Sequence, residues 1–298
     1  MAFSDTFLGR RAARLPAGLR GMAEMLASAS TVSAMNGVVH HLTLSMHAFE
    51  IAFFRQLFGL IFLSTVFLRN GLQPLYTRRI RLHVLRAVLN ALALLSYFVA
   101  LTLEPIYKVV ALGFTAPLFA TVLAIFFLRE HMGRRRWIAL GVGVAGALVI
   151  LRPGIEVVTF GMLVALFSNV AWAGALIVIK MLTRTESAVT ISMYAALLLV
   201  PMTLAAALLV WEWPTPDQLK WLVTIGICGS FAQLCLAQAF RDADATLVLP
   251  MDFTKLIWAS LIGFFFFAEV PDLWTLAGAA IIFAGVFYNA FREGASAP

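Results

Sequence analysis

Inside the apolar run TLVLPMDFTKLIWASLIGFFFFAE, Thr246 to Glu269, stand an acid and a base three residues apart, Asp252 and Lys255. Residues at i and i+3 share a helix face, so the two can pair. A charge centred in a membrane helix costs about 3 kcal/mol on insertion scales and turns toward protein or a water-filled path. If one helix runs unbroken from Thr246, Lys255 lies roughly 14 Å along its axis, near the middle of a hydrocarbon core about 30 Å thick. Two readings stay open. In one, Asp252 neutralises Lys255 and lowers the cost of insertion. In the other, Lys255 binds a carboxylate or phosphate of a substrate, and Asp252 holds it in place or carries a proton.

A second interior cation, Arg55, lies about ten residues into its own run, with Glu50 five residues earlier and off its face. Its plainer role is structural, facing carbonyls or an acid on another helix. Amides and aromatics recur elsewhere: Asn36, Asn90, Tyr97, Asn169, Trp172, Gln233, Gln238 and Trp258. Polar groups in lipid must find partners, so any one of these reads as a helix-to-helix hydrogen bond. Together they suit an amphiphilic solute with a ring and polar ends, because pockets join apolar walls to a few directional groups. The expected substrate-binding set is Lys255, Asp252, Tyr97, Trp172, Asn90, Asn169, Gln233 and Trp258. Glu130 and Glu269 end two apolar runs, where a carboxylate opposes the helix dipole and needs N–H groups or a cation nearby. With Arg55 and Pro117 they form the expected structural or gating set.

Other chemistries lack their residues. There is no H-E-x-x-H, no G-x-S-x-G and no G-x-x-x-x-G-K-[ST], so neither a hydrolytic enzyme nor a direct ATP motor is expected. His40, His41 and His47 do not share one helix face, and no metal or other cofactor is expected. Cys228 and Cys235 would stand about 10 Å apart on a helix, too far to bridge. The glycines of GVGVAG, Gly141 to Gly146, follow no strand and read as close helix packing.

These side chains need helices in lipid to position them. The chain has 298 residues, 62% of them hydrophobic and 12% charged, against about 25% charged in soluble domains. A span takes about 20 apolar residues, and the runs fall near 22–40, 46–68, 81–103, 105–129, 134–151, 158–181, 187–211, 218–240, 245–268 and 272–291. The predicted fold class is all-α integral membrane, with ten transmembrane helices. Alternate connections carry seventeen Lys and Arg on one side and three on the other, which places both termini in the cytoplasm and the chain in the cell inner membrane. The net charge of +7 is then a topology signal, and no nucleic acid is expected as a partner. The basic stretch 1–20 is a cytoplasmic tail before a retained first span, and 293–298 is a second short tail.

A shift of 139 positions lays LGFTAPLFATVLAIFFLRE on MDFTKLIWASLIGFFFFAE, matching Phe114 with Phe253, Thr115 with Thr254 and Glu130 with Glu269. The two units are 21–152 and 158–292. Five spans is an odd number, so the second unit enters the membrane turned over. Inverted repeats of this kind serve transporters whose site lies near the midplane and whose access alternates as the halves rock. The cavity is expected on the first, third, sixth, eighth and ninth spans.

Ala100-Leu101, Pro117-Leu118-Phe119, Leu128-Arg129-Glu130 and FFRQLFGLIFL around Arg55 resemble the EamA-type repeat of the drug/metabolite transporter superfamily. Glu269 to Asp272 and Gly278 are similar to the family's ninth and tenth spans, while Leu256 stands where the repeat would carry a second proline. The resemblance implies secondary transport of small amphiphilic metabolites, with export of aromatic or neutral amino acids first. The alternative is import of a charged metabolite such as S-adenosylmethionine. An intramembrane enzyme or a non-transporting receptor are the readings from other classes. Protons are the candidate coupling ion, and no obligate protein partner is implied.

Overall fold

The computed structural model describes residues 17–67, 77–128, 134–152, 158–182, 185–186, 188–242, 251–252 and 254–294. Eleven helices are found there, and no strand among the described residues. They are α1 (Ala17–Leu42), α2 (Ala48–Phe67), α3 (Ile80–Leu103), α4 (Ile106–Gly113), α5 (Ala116–Leu128), α6 (Arg134–Leu151), α7 (Phe160–Leu182), α8 (Ala188–Ala207), α9 (Pro216–Asp242), α10 (Thr254–Phe267) and α11 (Leu273–Gly294). Among the described residues four stretches are long and apolar enough to cross a membrane: Ile80–Leu103, Ile106–Phe127, Phe160–Leu182 and Pro216–Leu236.

The second of these stretches is broken. Pro117 has no N–H, and its ring clashes with the carbonyl of the residue four earlier, which is Gly113, the last residue of α4. The chain turns through Phe114 and Thr115 and restarts at Ala116, which places Pro117 in a first turn where it is tolerated. The Leu112 carbonyl accepts the Thr115 N–H at 2.9 Å, the Thr115 hydroxyl at 2.7 Å and the Asn169 side-chain amide at 2.8 Å. The expected single span 105–129 is therefore a bent pair of helices, with its bend satisfied from α7.

Packing runs across the two sequence repeats. The most extensive pairings are α3 with α7, α1 with α9, and α6 with α11. The first two exchange under a two-fold relation between the halves, and the third maps onto itself. Single bonds repeat the pattern. Ser28 donates to the Ala232 carbonyl at 2.9 Å, joining α1 to α9, and Ser168 donates to the Ala93 carbonyl at 2.7 Å, joining α7 to α3. Further out, Arg20 meets Asp242 at 2.5 Å and Thr159 donates to Glu104. Each pair of contacts is offset by about the same interval as the sequence repeat.

These contacts also orient the rods. The end of α1 reaches the end of α3, where His40 Nδ1 lies 2.6 Å from the Leu101 carbonyl, whereas the start of α7 meets the end of α3 at Glu104. Hence α1 and α7, the first helices of the two halves, begin at opposite ends of the bundle. Where α6 crosses α11, a first side-chain carbon at Gly146 would come 2.7 Å from the Gly278 carbonyl, and one at Gly278 would come 2.6 Å from the Gly146 carbonyl. Only residues without a side chain permit that approach.

Arg134 to Arg136 form the first turn of α6, where the run 134–151 begins. The ninth run is described as a helix only from Thr254, with Met251 and Asp252 also helical, so Lys255 lies in the first turn of α10. The unbroken helix from Thr246, on which its depth was reckoned, falls on residues outside the described ones.

Candidate functional site

Between the halves lies a cavity of about 520 Å³. Its wall includes Asn36 from α1, Arg55 and Gly59 from α2, Arg86, Asn90 and Tyr97 from α3, Phe114 and Pro117 at the helix break, Ser168, Asn169 and Trp172 from α7, Gln233 from α9, and Asp252 and Lys255. The wall thus draws on α2, α4, α5 and α8 as well as on the five expected spans. Seven of the eight expected substrate residues line it. Trp258 does not; it is 42% exposed on another face of α10, so the ring turns away from the cavity. Of the gating set, Arg55 and Pro117 line the cavity, Glu269 lies at the far end of the bundle, and Glu130 is outside the described residues.

Hydrogen bonds show which groups are already occupied. The Asn169 amide is used by the α4–α5 bend, donating to Leu112 and, at 3.2 Å, to the Thr115 hydroxyl. The Asn36 amide donates to the Tyr97 hydroxyl at 2.9 Å, while Asn36 Oδ1 is buried without a partner. Lys255 Nζ lies 2.5 Å from Asp252 Oδ1, with both side chains about three-quarters buried. This is the neutralising arrangement, placed on the cavity wall. Arg55 meets neutral groups only among the described residues: Gln56 Oε1 at 2.8 Å and Met35 Sδ at 3.4 Å. Gly229 leaves the room its guanidinium fills, since a carbon added there would lie 3.0 Å from Nη2.

Sequence reasoning missed Arg86. It stands one turn and a half into α3, close enough to the basic connection to be counted with it as a topology signal. The helix carries it inward instead, where it is 9% exposed and donates from Nη1 to the Ile191 carbonyl. His83, three residues earlier, stacks on Tyr194 with ring centres 4.5 Å apart, and neither of its ring nitrogens has a hydrogen-bond partner. The signal available in sequence was the placement of Arg86 six residues past the start of an apolar run, rather than before it.

At the end of the bundle where α1 finishes, Glu269 links α1 and α4 to the end of α10. Its Oε2 accepts the Ile106 N–H at 3.0 Å, its Oε1 lies 3.5 Å from His40 Nε2, and the His40 ring meets Phe267 edge-on. Nearby, Arg152 pairs with Asp272 at 3.1 Å. A second concavity, about 600 Å³, lies between α10 and α11 and is lined almost wholly by apolar side chains such as Leu261 and Phe264. It is larger than the first, but it offers no set of directional polar groups, so the recognition chemistry belongs to the cavity between the halves.

A cavity between two repeated halves, walled by aromatics, amides and cations, suits a solute carrier. The model of the EamA-like transporter family matches twice, over residues 20–152 and 159–291. The chain belongs to that family. Within it, the chain is 31% identical over 275 residues to an S-adenosylmethionine uptake transporter of Rickettsia felis, covering 92% of this chain and 94% of that protein. It is 33% identical over 244 residues to a riboflavin transporter of Brucella anthropi, covering 80% and 86%. It is 30% identical over 257 residues to the pseudopaline exporter CntI of Pseudomonas aeruginosa, covering 85% and 89%. A solved crystal structure, 17% identical and covering 93% of this chain and 98% of its own, superposes with a TM-score of 0.62 and supports the fold. The chain is therefore a membrane transporter of the drug/metabolite type. The three named relatives carry S-adenosylmethionine, riboflavin or pseudopaline; a plain amino acid is not among those names.

Proposed function

We propose that this chain takes up a ring-bearing amphiphilic metabolite of the S-adenosylmethionine class across the inner membrane, by alternating access around the cavity between its halves. The observation that carries the reading is the cavity's wall: Tyr97 and Trp172 offer ring faces, and Asn90 and Gln233 offer amides, within a volume of about 520 Å³. That volume lies in the usual range for drug-sized ligands, about 300–1,000 Å³. The ten rods form two inverted five-span repeats with both termini in the cytoplasm, and the bound solute is exposed to one side at a time as the halves rock. The R. felis relative, named for S-adenosylmethionine uptake, supports both cargo and direction. Amino-acid export, the first expectation, has no comparable support.

Counterflow in liposomes tests this. Vesicles holding the purified chain and unlabelled S-adenosylmethionine should accumulate the labelled compound well above protein-free vesicles, and more than they accumulate labelled phenylalanine. Imposing a pH gradient on the same vesicles shows whether protons couple. Phenylalanine exchange without S-adenosylmethionine exchange would return the cargo to amino acids. In the same assay, Trp172→Ala should slow flux at unchanged expression.

A further inference from the structure

The cations of the described residues fall into two groups. Arg20, Lys108, Arg152, Lys220 and Lys255 each stand within salt-bridge distance of a carboxylate. Arg86 does not. Among the described residues its one hydrogen bond runs from Nη1 to the Ile191 carbonyl, and Nε is buried with no acceptor. The residue is 9% exposed, and it faces the cavity between the halves.

A guanidinium stays charged in proteins, and its planar fork of N–H donors is shaped for two oxygens held in a plane. Burying such a charge without a counter-charge is costly, and the cost is tolerated where a ligand supplies the missing partner. Nη1 is tied to α8 and Nε has no acceptor among the described residues, so the guanidinium keeps donor capacity to spare at the cavity wall. Lys255 is a poorer anchor for an anion, because Asp252 already sits 2.5 Å from it. We infer that Arg86 anchors an anionic oxygen group of the transported solute, the carboxylate when the solute is of the S-adenosylmethionine class.

A second unpaired atom gives the solute a length. Asn36 Oδ1 lacks a partner beside Tyr97, and Tyr97 follows Arg86 on α3 by eleven residues, a rise of roughly 16 Å. Long helical side chains lean toward the helix start, which for Arg86 is away from Tyr97. A solute that satisfies both groups at once is extended, with a donor at one end and the anion at the other, and is longer than a single amino acid.

This inference rests on the reading of the cavity as the solute site, and its test separates the two. Thermal stabilisation of the detergent-purified full chain is measured with S-adenosylmethionine, its carboxyl methyl ester, riboflavin and riboflavin 5′-phosphate, on wild type, Arg86→Gln and Arg86→Lys. Wild type should prefer each acid to the counterpart that lacks its anionic group by tenfold or more in half-saturating concentration. Arg86→Gln should lose that preference, and Arg86→Lys should keep part of it. A preference confined to the methionine compounds identifies the anion as a carboxylate; one confined to the flavins identifies a phosphate. The empty Arg86→Gln protein should melt at or above wild type, since an unpaired buried charge has gone. No acid preference in wild type, or an equal preference in Arg86→Gln, overturns the inference and leaves Arg86 as a tether to α8. If Arg86-dependent binding of acids appears but counterflow moves none of the four, the transport reading falls and the assignment of Arg86 stands.

Discussion

The two crossings of the halves, α1 with α9 and α7 with α3, share a centre and differ at their ends. At the centre each has a serine hydroxyl on an alanine carbonyl, Ser28 on Ala232 and Ser168 on Ala93. At the ends, one crossing closes with a guanidinium on a carboxylate, Arg20 with Asp242, and the other with a hydroxyl on a carboxylate, Thr159 with Glu104. Both serines are buried, Ser28 at 2% and Ser168 at 3% exposure, and the two copies keep the same chemistry although Ser168 and Ala93 lie on the cavity wall. The ends meet different surroundings. Arg20 keeps 30% of its side-chain exposure, while Glu104 is buried, with Lys108 at 3.9 Å. Salt therefore weakens the exposed ion pair at one end more than the buried hydroxyl contact at the other.

The largest expected effect comes where the halves meet on their own axis. Gly146→Val puts carbon against the Gly278 carbonyl and the Ile282 backbone nitrogen, both under 3 Å and neither able to rotate away. Overpacking costs about 1–3 kcal/mol in ordinary cores, and here the obstacle is backbone. Thermal unfolding should fall steeply for Gly146→Val and stay unchanged for Gly141→Ala, whose added carbon meets nothing within 4 Å. Equal melting of both variants would remove the close crossing of α6 and α11.

Next in size is the Asp252–Lys255 pair. Lys255→Gln leaves Asp252 without its counter-charge and should destabilise the chain; with both groups about a quarter exposed, about 1–2 kcal/mol is expected, less than the 3–5 kcal/mol of a fully buried pair. The double change, Asp252→Asn with Lys255→Gln, should restore both stability and flux. Stability restored with flux still lost would reinstate Lys255 as a solute contact.

The paired serines give a smaller effect. Ser28→Ala and Ser168→Ala should each cost about 0.6–1 kcal/mol, by the same amount within error, and their effects should add. Unequal losses would break the two-fold comparison at its centre.

Much of this arrangement was legible in the sequence, and the exceptions share a cause. The all-helical build of the described residues and the two-fold repeat were legible, because long apolar runs in lipid bond their backbones internally and the repeat shows as matching residues. The bend at Phe114 and Thr115 was not foreseen, although Pro117 was marked, because its satisfaction depends on Asn169 from the other half. Asn169 lies on the cavity wall with its amide already used at that bend. Trp258 was misplaced because it stands three residues from Lys255, a spacing that shares a helix face, whereas the buried side of α10 runs through Leu256, Ala259 and Gly263. Arg86 was hidden by the counting rule that oriented the chain, since the rule weighs charge near a span's end without asking which way the side chain turns.

The smallest expected effect separates two carboxylates three residues apart at one end of the bundle. Burial pushes Glu269 above the usual carboxylate range, against the opposing pull of His40 and the Ile106 N–H. Burial also acts on Asp272, but the Thr275 hydroxyl and N–H, followed by Arg152, outweigh it and hold that group below the range. The signs of their pH dependence are therefore opposite. For Glu269 the stabilising contribution is complete below its unfolded value of about 4.3 and is lost as pH rises through the higher folded value. For Asp272 it is complete above about 3.9 and is lost as pH falls through the lower folded value. Glu269→Gln should thus melt no lower than wild type at neutral pH, with the difference vanishing on acidification. Asp272→Asn should melt lower at neutral pH and converge with wild type only in stronger acid. Melting curves across pH 3 to 8 read both, and variants that shift in the same direction would show that the two acids share one environment.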